Sequence, residues 1–211
     1  MTAWHVHPVT PEKRYLSMIQ DELNRGRVLI LPTDTVYAFA CSSEHPRAIN
    51  ELYKLKDLPE TQPLSLLCRD VAMASEYARA IPNQVFRFMK AHTPGPYTFI
   101  LPANRKVDRR GQSKKKTVGI RIVDHPLHIA LMEALDTPLV STSLTIEDEY
   151  YTDSVELERL YGKRVAAIID GGMRYHEYSS VIDCADGLKL VRRGIGNVDE
   201  LPIDEDLTDE G

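Results

Sequence analysis

No run of apolar residues in this chain approaches the roughly 20 that a helix needs to cross a bilayer. The opening Met1-Thr2-Ala3-Trp4-His5-Val6-His7 also lacks the basic start and apolar stretch of a secretory leader. Both absences predict a cytoplasmic protein with no membrane partner. Cysteine is scarce: Cys41, Cys68 and Cys184 are odd in number and widely spaced, with no Cys-x-x-Cys pair. That excludes a disulfide framework and reads as buried free thiols in a reducing compartment, the alternative being a reactive or ligating role. There is no Gly-x-x-x-x-Gly-Lys-Ser/Thr loop to cradle phosphates, no internal repeat and no low-complexity segment.

What is present is an ordinary globular composition of 211 residues, 43% hydrophobic and 27% charged. That is enough for one sizeable core and short for two. One domain over residues 1–200 is expected, followed by an acidic tail, residues 201–211, with too little apolar content to order itself. The formal charge of −5 hides an asymmetry. Between Arg105 and Lys116, seven basic residues (Arg105, Lys106, Arg109, Arg110, Lys114, Lys115 and Lys116) stand against Asp108 alone, a local +6. Asp199 to Glu210 carries seven acids and no base, a local −7. A basic run is usually a solvated face, yet this one holds most of the positive field of an acidic protein. Two functional readings stay open: a lid over ATP phosphates, or a grip on the backbone of tRNA or double-stranded RNA, which would be salt-sensitive and weak in sequence preference.

Periodicity and punctuation place the elements. Thr10-Pro11-Glu12 reads as N-cap, N1 proline and early acid of a helix whose Tyr15, Leu16, Ile19 and Leu23 share one face before Gly26. Strands are predicted at Val28 to Pro32, Tyr37 to Cys41, Leu64 to Cys68, Tyr97 to Leu101, Val118 to Val123, Pro138 to Ser141, Val165 to Asp170, Val181 to Cys184 and Leu188 to Arg192. Asp186-Gly187 signals a hairpin between the last two. Helices are predicted at Pro46 to Lys56, Val71 to Ala80, Pro82 to Ala91, from a cap at Asp124 through Leu135, and at Ser154 to Tyr161 behind an N-cap at Asp153. Strands alternating with helices and ending in hairpins imply a single α/β domain: a twisted, mixed parallel and antiparallel open sheet flanked by helices.

Several segments carry polar chemistry at strand ends. Leu31-Pro32-Thr33-Asp34-Thr35-Val36-Tyr37 sets hydroxyls and a carboxylate where a buried strand stops, a place to grip a small polar ligand. Lys54 and Lys56 end a helix, where lysines ordinarily serve the helix dipole and solvent. In Thr117-Val118-Gly119-Ile120-Arg121, alternation puts Thr117 and Arg121 on one face; a planar guanidinium there suits a carboxylate, of a ligand or of a structural partner. Ser141-Thr142-Ser143 leaves a buried strand through three hydroxyls, which commonly satisfy local backbone. His125-x-x-His128 has no third ligand at a convincing spacing, so no metal site is expected.

Taken together and in chain order, these segments resemble the YrdC/YciO family of threonylcarbamoyl-adenylate synthases and their relatives over about residues 10–197. The first matches the Pro-Thr-Asp-Thr-x-Tyr signature, Lys56 to Pro63-Leu64 fits a Lys-x-Arg-Pro-x-x-x-Pro-Leu motif, and Ser141 to Ser143 is similar to Thr-Ser-Ala-Asn. Ser179-Ser180-Val181-Ile182-Asp183 resembles Ser-Thr-Val-Ile-Asp, and Arg192-Arg193-Gly194 the final Arg-Pro-Gly. The resemblance implies a YrdC-like fold and a nucleotidyltransferase that makes threonylcarbamoyl-AMP and pyrophosphate from ATP, L-threonine and bicarbonate for tRNA modification. Mg²⁺ would arrive with ATP, and no tightly bound cofactor is implied. Carried over residue by residue, it makes Lys56, Arg121 and Ser143 catalytic, and Thr33, Thr35, Tyr37, Arg121, Ser141 and Ser179 substrate contacts. Lys56, Thr117, Ser143 and Arg192 would bind ATP. The chain departs from the pattern at Leu58, where the motif has a second cation, at Leu67, where some members have a histidine, at Thr145 for the asparagine and at Ala38 for a glycine. Leu58 and Leu67 resemble the YciO branch. The alternative is an RNA-binding protein of the same fold with weak or no synthase activity.

Overall fold

The computed structural model describes residues 3–59, 62–108, 116–146, 149–150, 154–172, 174, 177–185 and 187–201. The chain enters through strand β1 (Ala3–His5) and helix α1 (Lys13–Asn24), then follows β2 (Leu29–Leu31), β3 (Ala38–Ser42), α2 (Pro46–Lys56) and β4 (Ser65–Leu67). Helices α3 (Val71–Ser75) and α4 (Asn83–His92) lead to β5 (Tyr97–Pro102), the short α5 (Arg105–Asp108), β6 (Thr117–Arg121) and α6 (Pro126–Glu133). The last third runs through β7 (Leu139–Ser143), the small ribbon β8 (Thr145–Ile146) and β9 (Glu149–Tyr150), α7 (Ser154–Tyr161), β10 (Ala167–Asp170), β11 (Ser180–Asp183) and β12 (Lys189–Arg192).

Among the described residues ten strands form one mixed sheet in the order β1-β10-β2-β3-β7-β4-β6-β5-β11-β12. Neighbours β1, β10 and β2 are parallel, as are β4 with β6 and β5 with β11; the remaining pairs are antiparallel. Every residue of β2 and β3 is buried, although successive side chains point to opposite faces, so both faces of the sheet are covered at its centre. The cover comes from amphipathic helices: α1 and α2 lie on β3, α7 on β10 and β1, and α6 on α1. Each buries one stripe, Ile19 and Leu23 on α1 and Ala48, Ile49, Leu52 and Tyr53 on α2.

Three local endings differ from the sequence expectation for physical reasons. Helix α1 starts at Lys13 with Glu12 as its N-cap residue, because the Glu12 carboxylate accepts from the His7 backbone N–H and the Thr10 N–H is held by His7 Nδ1. Helix α6 is capped by His125 rather than Asp124; the imidazole Nδ1 accepts from Leu127 N at 3.2 Å. Asp124 is occupied differently, its backbone N–H donating to Asp34 Oδ2 at 3.1 Å. The segment after Val71 is helical only to Ser75, with Asp70 accepting from Met73 N as its cap. β1 and the β8–β9 ribbon have too few residues to show a period and were not anticipated. Asp153, Asp186 and the tail beyond Leu201 lie outside the described residues.

Candidate functional site

Helix α2 ends on Asp57 in the left-handed conformation (φ 52°), with Asp57 N donating to Lys54 O and Leu58 N to Tyr53 O. This is a Schellman ending, whose second residue past the helix ordinarily packs on apolar neighbours. Leu58 sits at that position, partly buried against the hydrophobic core. The departure at Leu58 thus has a structural role, and of the two lysines in the last turn, Lys54 and Lys56, it is Lys56 that reaches the site.

Lys56 lines a cavity of about 430 Å³, with Gln62, Pro63 and Leu64 from the connection into β4. Sheet pairing supplies the rest. Ser65 on β4 lies opposite Gly119 of β6 on one side and Ser141 of β7 on the other. The Ser65 hydroxyl occupies the space a Cβ at Gly119 would need, 2.9 Å away. Arg121, Thr142 and Ser143 continue this wall, and Thr98, Tyr178, Ser179, Val181 and Arg192 form the opposite one. Thr98 Oγ1 and Ser179 Oγ are 2.8 Å apart. Arg192 donates through Nε and Nη2 to Ser179 O (3.2 and 3.0 Å) and stacks 4.4 Å from the Tyr178 ring centroid.

Among the described residues the lining therefore holds three cations, Lys56, Arg121 and Arg192, a row of hydroxyls, and no carboxylate. Burial lowers the Lys56 ammonium below its ordinary pKa. Such a set attracts an anion strongly, because the charges act where water is reduced.

The Pro32 to Tyr37 turn plays a different part from the one expected. Thr33 and Thr35 are fully buried and are not in the cavity wall. Thr33 Oγ1 donates to Val36 O (2.6 Å) and accepts from Thr35 N (3.0 Å), so the Thr35 hydroxyl, 3.1 Å away, donates to it. Thr35 Oγ1 in turn accepts from Arg121 Nη2 at 3.1 Å, and the same nitrogen meets Asp34 Oδ1 at 2.5 Å. The turn is thus the mount of Arg121. The guanidinium is oriented from behind while its Nε, also buried, has no hydrogen-bond partner among the described residues. Tyr37 points elsewhere: its hydroxyl donates to Gly172 O (2.8 Å), and burial with the Asp170 carboxylate alongside keeps the phenol protonated. Thr117, at the start of β6 opposite Pro102, is also outside the wall.

Of the residues singled out from sequence, Lys56, Arg121, Ser141, Ser143, Ser179 and Arg192 meet in one cavity. Ser65, Thr98 and Tyr178 were missed, and Asp34, whose carboxylate was read as a ligand grip, instead pairs with Arg121. Thr98 carried a faint signal, a polar side chain inside the apolar run Tyr97 to Leu101. In the basic run, Arg105, Lys106 and Lys116 are exposed and Lys106 is paired with Glu76 at 2.7 Å, whereas Arg109, Arg110, Lys114 and Lys115 lie outside the described residues. The side chain of Thr145 is likewise outside them. His125 and His128 gather no third ligand; among the described residues no group of three or more His, Cys, Asp or Glu is placed to hold a metal. No helix among them is long and apolar enough to cross a membrane.

Comparison with known proteins agrees with the fold. The Sua5_yciO_yrdC family, described as "Telomere recombination", matches residues 21–194, and the chain belongs to it. Uncharacterized protein YciO of Escherichia coli is 37% identical over 199 residues, covering 92% of this chain and 96% of that one. Its crystal structure superposes with a TM-score of 0.87, covering 94% and 98%. Threonylcarbamoyl-AMP synthase of Halorhodospira halophila is 32% identical over 151 residues, 71% of this chain and 79% of that protein. P. abyssi Sua5 complexed with L-threonine shares the fold at a TM-score of 0.84 and 24% identity, over 92% of this chain and 58% of that one.

Proposed function

We propose that this protein is a nucleotidyltransferase of the threonylcarbamoyl-AMP synthase type. The observation that carries the reading is the meeting of Lys56, Arg121 and Arg192 in one cavity lined by hydroxyls and, among the described residues, by no carboxylate. The synthase relative and the threonine-bound Sua5 structure support the choice of substrate. In this reading the threonine amine condenses with bicarbonate, losing water, and an oxygen of the resulting N-carboxylate attacks the α-phosphorus of ATP. The bond from that phosphorus to the bridging oxygen breaks, and pyrophosphate leaves with the Mg²⁺ that accompanied ATP. No side chain becomes covalently attached. The protein contributes position and charge: Arg121 holds the amino-acid carboxylate through its unpartnered edge, Lys56 and Arg192 offset phosphate charge, and Ser141, Ser143 and Ser179 orient the reactants. The product then serves as donor for tRNA modification.

The test is pyrophosphate release by pure protein given ATP, L-threonine and bicarbonate. Release that requires all three supports the assignment, and none above background ends it.

A further inference from the structure

A second cavity, of about 260 Å³, opens between the end of β4 and helix α6. Its walls are apolar, built by Leu67, Val123, Ile129 and Met132. An engineered apolar hollow of about 150 Å³ admits benzene, so this one has room for a branched or aromatic side chain. Cys68 also contributes, but burial raises its thiol well above the ordinary value, which removes a thiolate role.

Two opposite charges belong to the same lining, Arg69 and Glu133. Arg69 uses Nε on the Asp70 carboxylate at 3.2 Å, and its Nη donors remain for a ligand. Glu133, exposed at the end of α6, has no ion pair or hydrogen bond among the described residues. A hollow with apolar walls, one cation and one anion complements a zwitterion with an apolar side chain. His128 adds a polar group to this wall. Its Nε2 donates to Pro32 O at 2.8 Å, so Nδ1 carries the lone pair, and that nitrogen has no partner among the described residues.

The geometry points to a second ligand site, for a free α-amino acid with a large apolar side chain. Arg69 takes its carboxylate, Glu133 its ammonium, and Leu67, Val123, Ile129 and Met132 its side chain. Leu67, next to Cys68 at the end of β4, lines this hollow. The inference does not rest on adenylate chemistry in the first cavity.

Ligand-observed NMR and calorimetry on the intact protein, with L-leucine and L-phenylalanine as probes, test it. Both bind saturably, leucine amide and N-acetyl-leucine bind far more weakly, and Arg69→Ala weakens leucine about tenfold or more, the size of one lost charge-assisted hydrogen bond. Ile129→Trp, at a position 44% exposed and therefore tolerant, fills the hollow and abolishes binding with the melting temperature retained. Absence of saturation, equal binding of the amide, or indifference to either substitution overturns the site. Threonine-dependent pyrophosphate release reports on the other cavity, so the two proposals fail by different signals.

Discussion

Arg121 illustrates how one side chain serves the fold and the site at once. Its pairing with Asp34 is almost wholly buried, both side chains 6% exposed, and breaking such a pair leaves a charge without compensation. Asp34→Ala therefore lowers the unfolding free energy by about 3–5 kcal/mol, measured by urea denaturation. Asp34→Asn keeps an acceptor for Nη2 and costs less. Lys56 behaves in the opposite way. It is held in the cavity against a desolvation penalty, visible in its lowered pKa, so Lys56→Met leaves the melting temperature unchanged or slightly higher. On the proposed function, the same change weakens ATP binding by about tenfold or more, the effect of removing one charged contact to phosphate; thermal melts and titration calorimetry with ATP and Mg²⁺ check the two halves of the expectation.

At the scale of elements, the wall formed by Tyr178 and Ser179 is fixed by a close crossing of two backbones. A Cβ on Gly194 would lie 2.2 Å from Tyr178 O and 2.5 Å from Ser179 C, and Ser180 Oγ clamps the crossing by accepting from Gly194 N and donating to Gly196 O. Because the obstacles are backbone atoms, they cannot rotate aside. Gly194→Ala forces the segment after β12 away and destabilises the protein by about 1–3 kcal/mol, the ordinary cost of overpacking. Arg192 is displaced with it, so on the proposed function nucleotide affinity falls together with the denaturation midpoint.

This level also shows what the sequence made legible. Helices α2 and α7 occupy the residues predicted for them, Pro46–Lys56 and Ser154–Tyr161, and β11 pairs with β12 as the hairpin signal suggested. Strand order was not legible, since it depends on which apolar faces meet across the core: β7 inserts between β3 and β4, far from both in the chain. The site divided along the same line. Cations and hydroxyls at strand ends were recognisable by residue type and family motif, whereas the inward turning of Thr33, Thr35 and Tyr37 depends on internal hydrogen bonds that an exposed-looking Thr-Asp-Thr string does not reveal. Thr98 and Ser65 occupy ordinary alternate strand positions and become part of a site only through their neighbours.

For the whole molecule, two buried imidazoles govern the response to acid. Burial, assisted by the nearby His128 and Arg174 charges and only partly offset by Asp34, lowers His125 from 6.5 to about 3. Burial and Arg121 lower His128 to about 4, against the opposing hydrogen bond to Pro32 O. In the unfolded chain both bind protons near their ordinary value, so between about pH 6.5 and about pH 4 the unfolded state holds more protons than the folded one. Stability is thus complete above that window and falls as pH drops through it, by up to about 1.4 kcal/mol per pH unit for each histidine. Urea midpoints measured from about pH 7.5 to about pH 5 follow this decline, and His128→Gln makes it shallower.

The sheet closes its site with its last strands. β5 meets its parallel neighbour β11 only after some eighty intervening residues, and Tyr178, Ser179 and Arg192 arrive with that final stretch. A chain made only as far as β10 has the central strands, Thr98 and the mount of Arg121 but lacks Tyr178, Ser179, Val181 and Arg192, so the cavity is completed only once β12 is in place. A chain that stops upstream of Tyr178 leaves this cavity open to water.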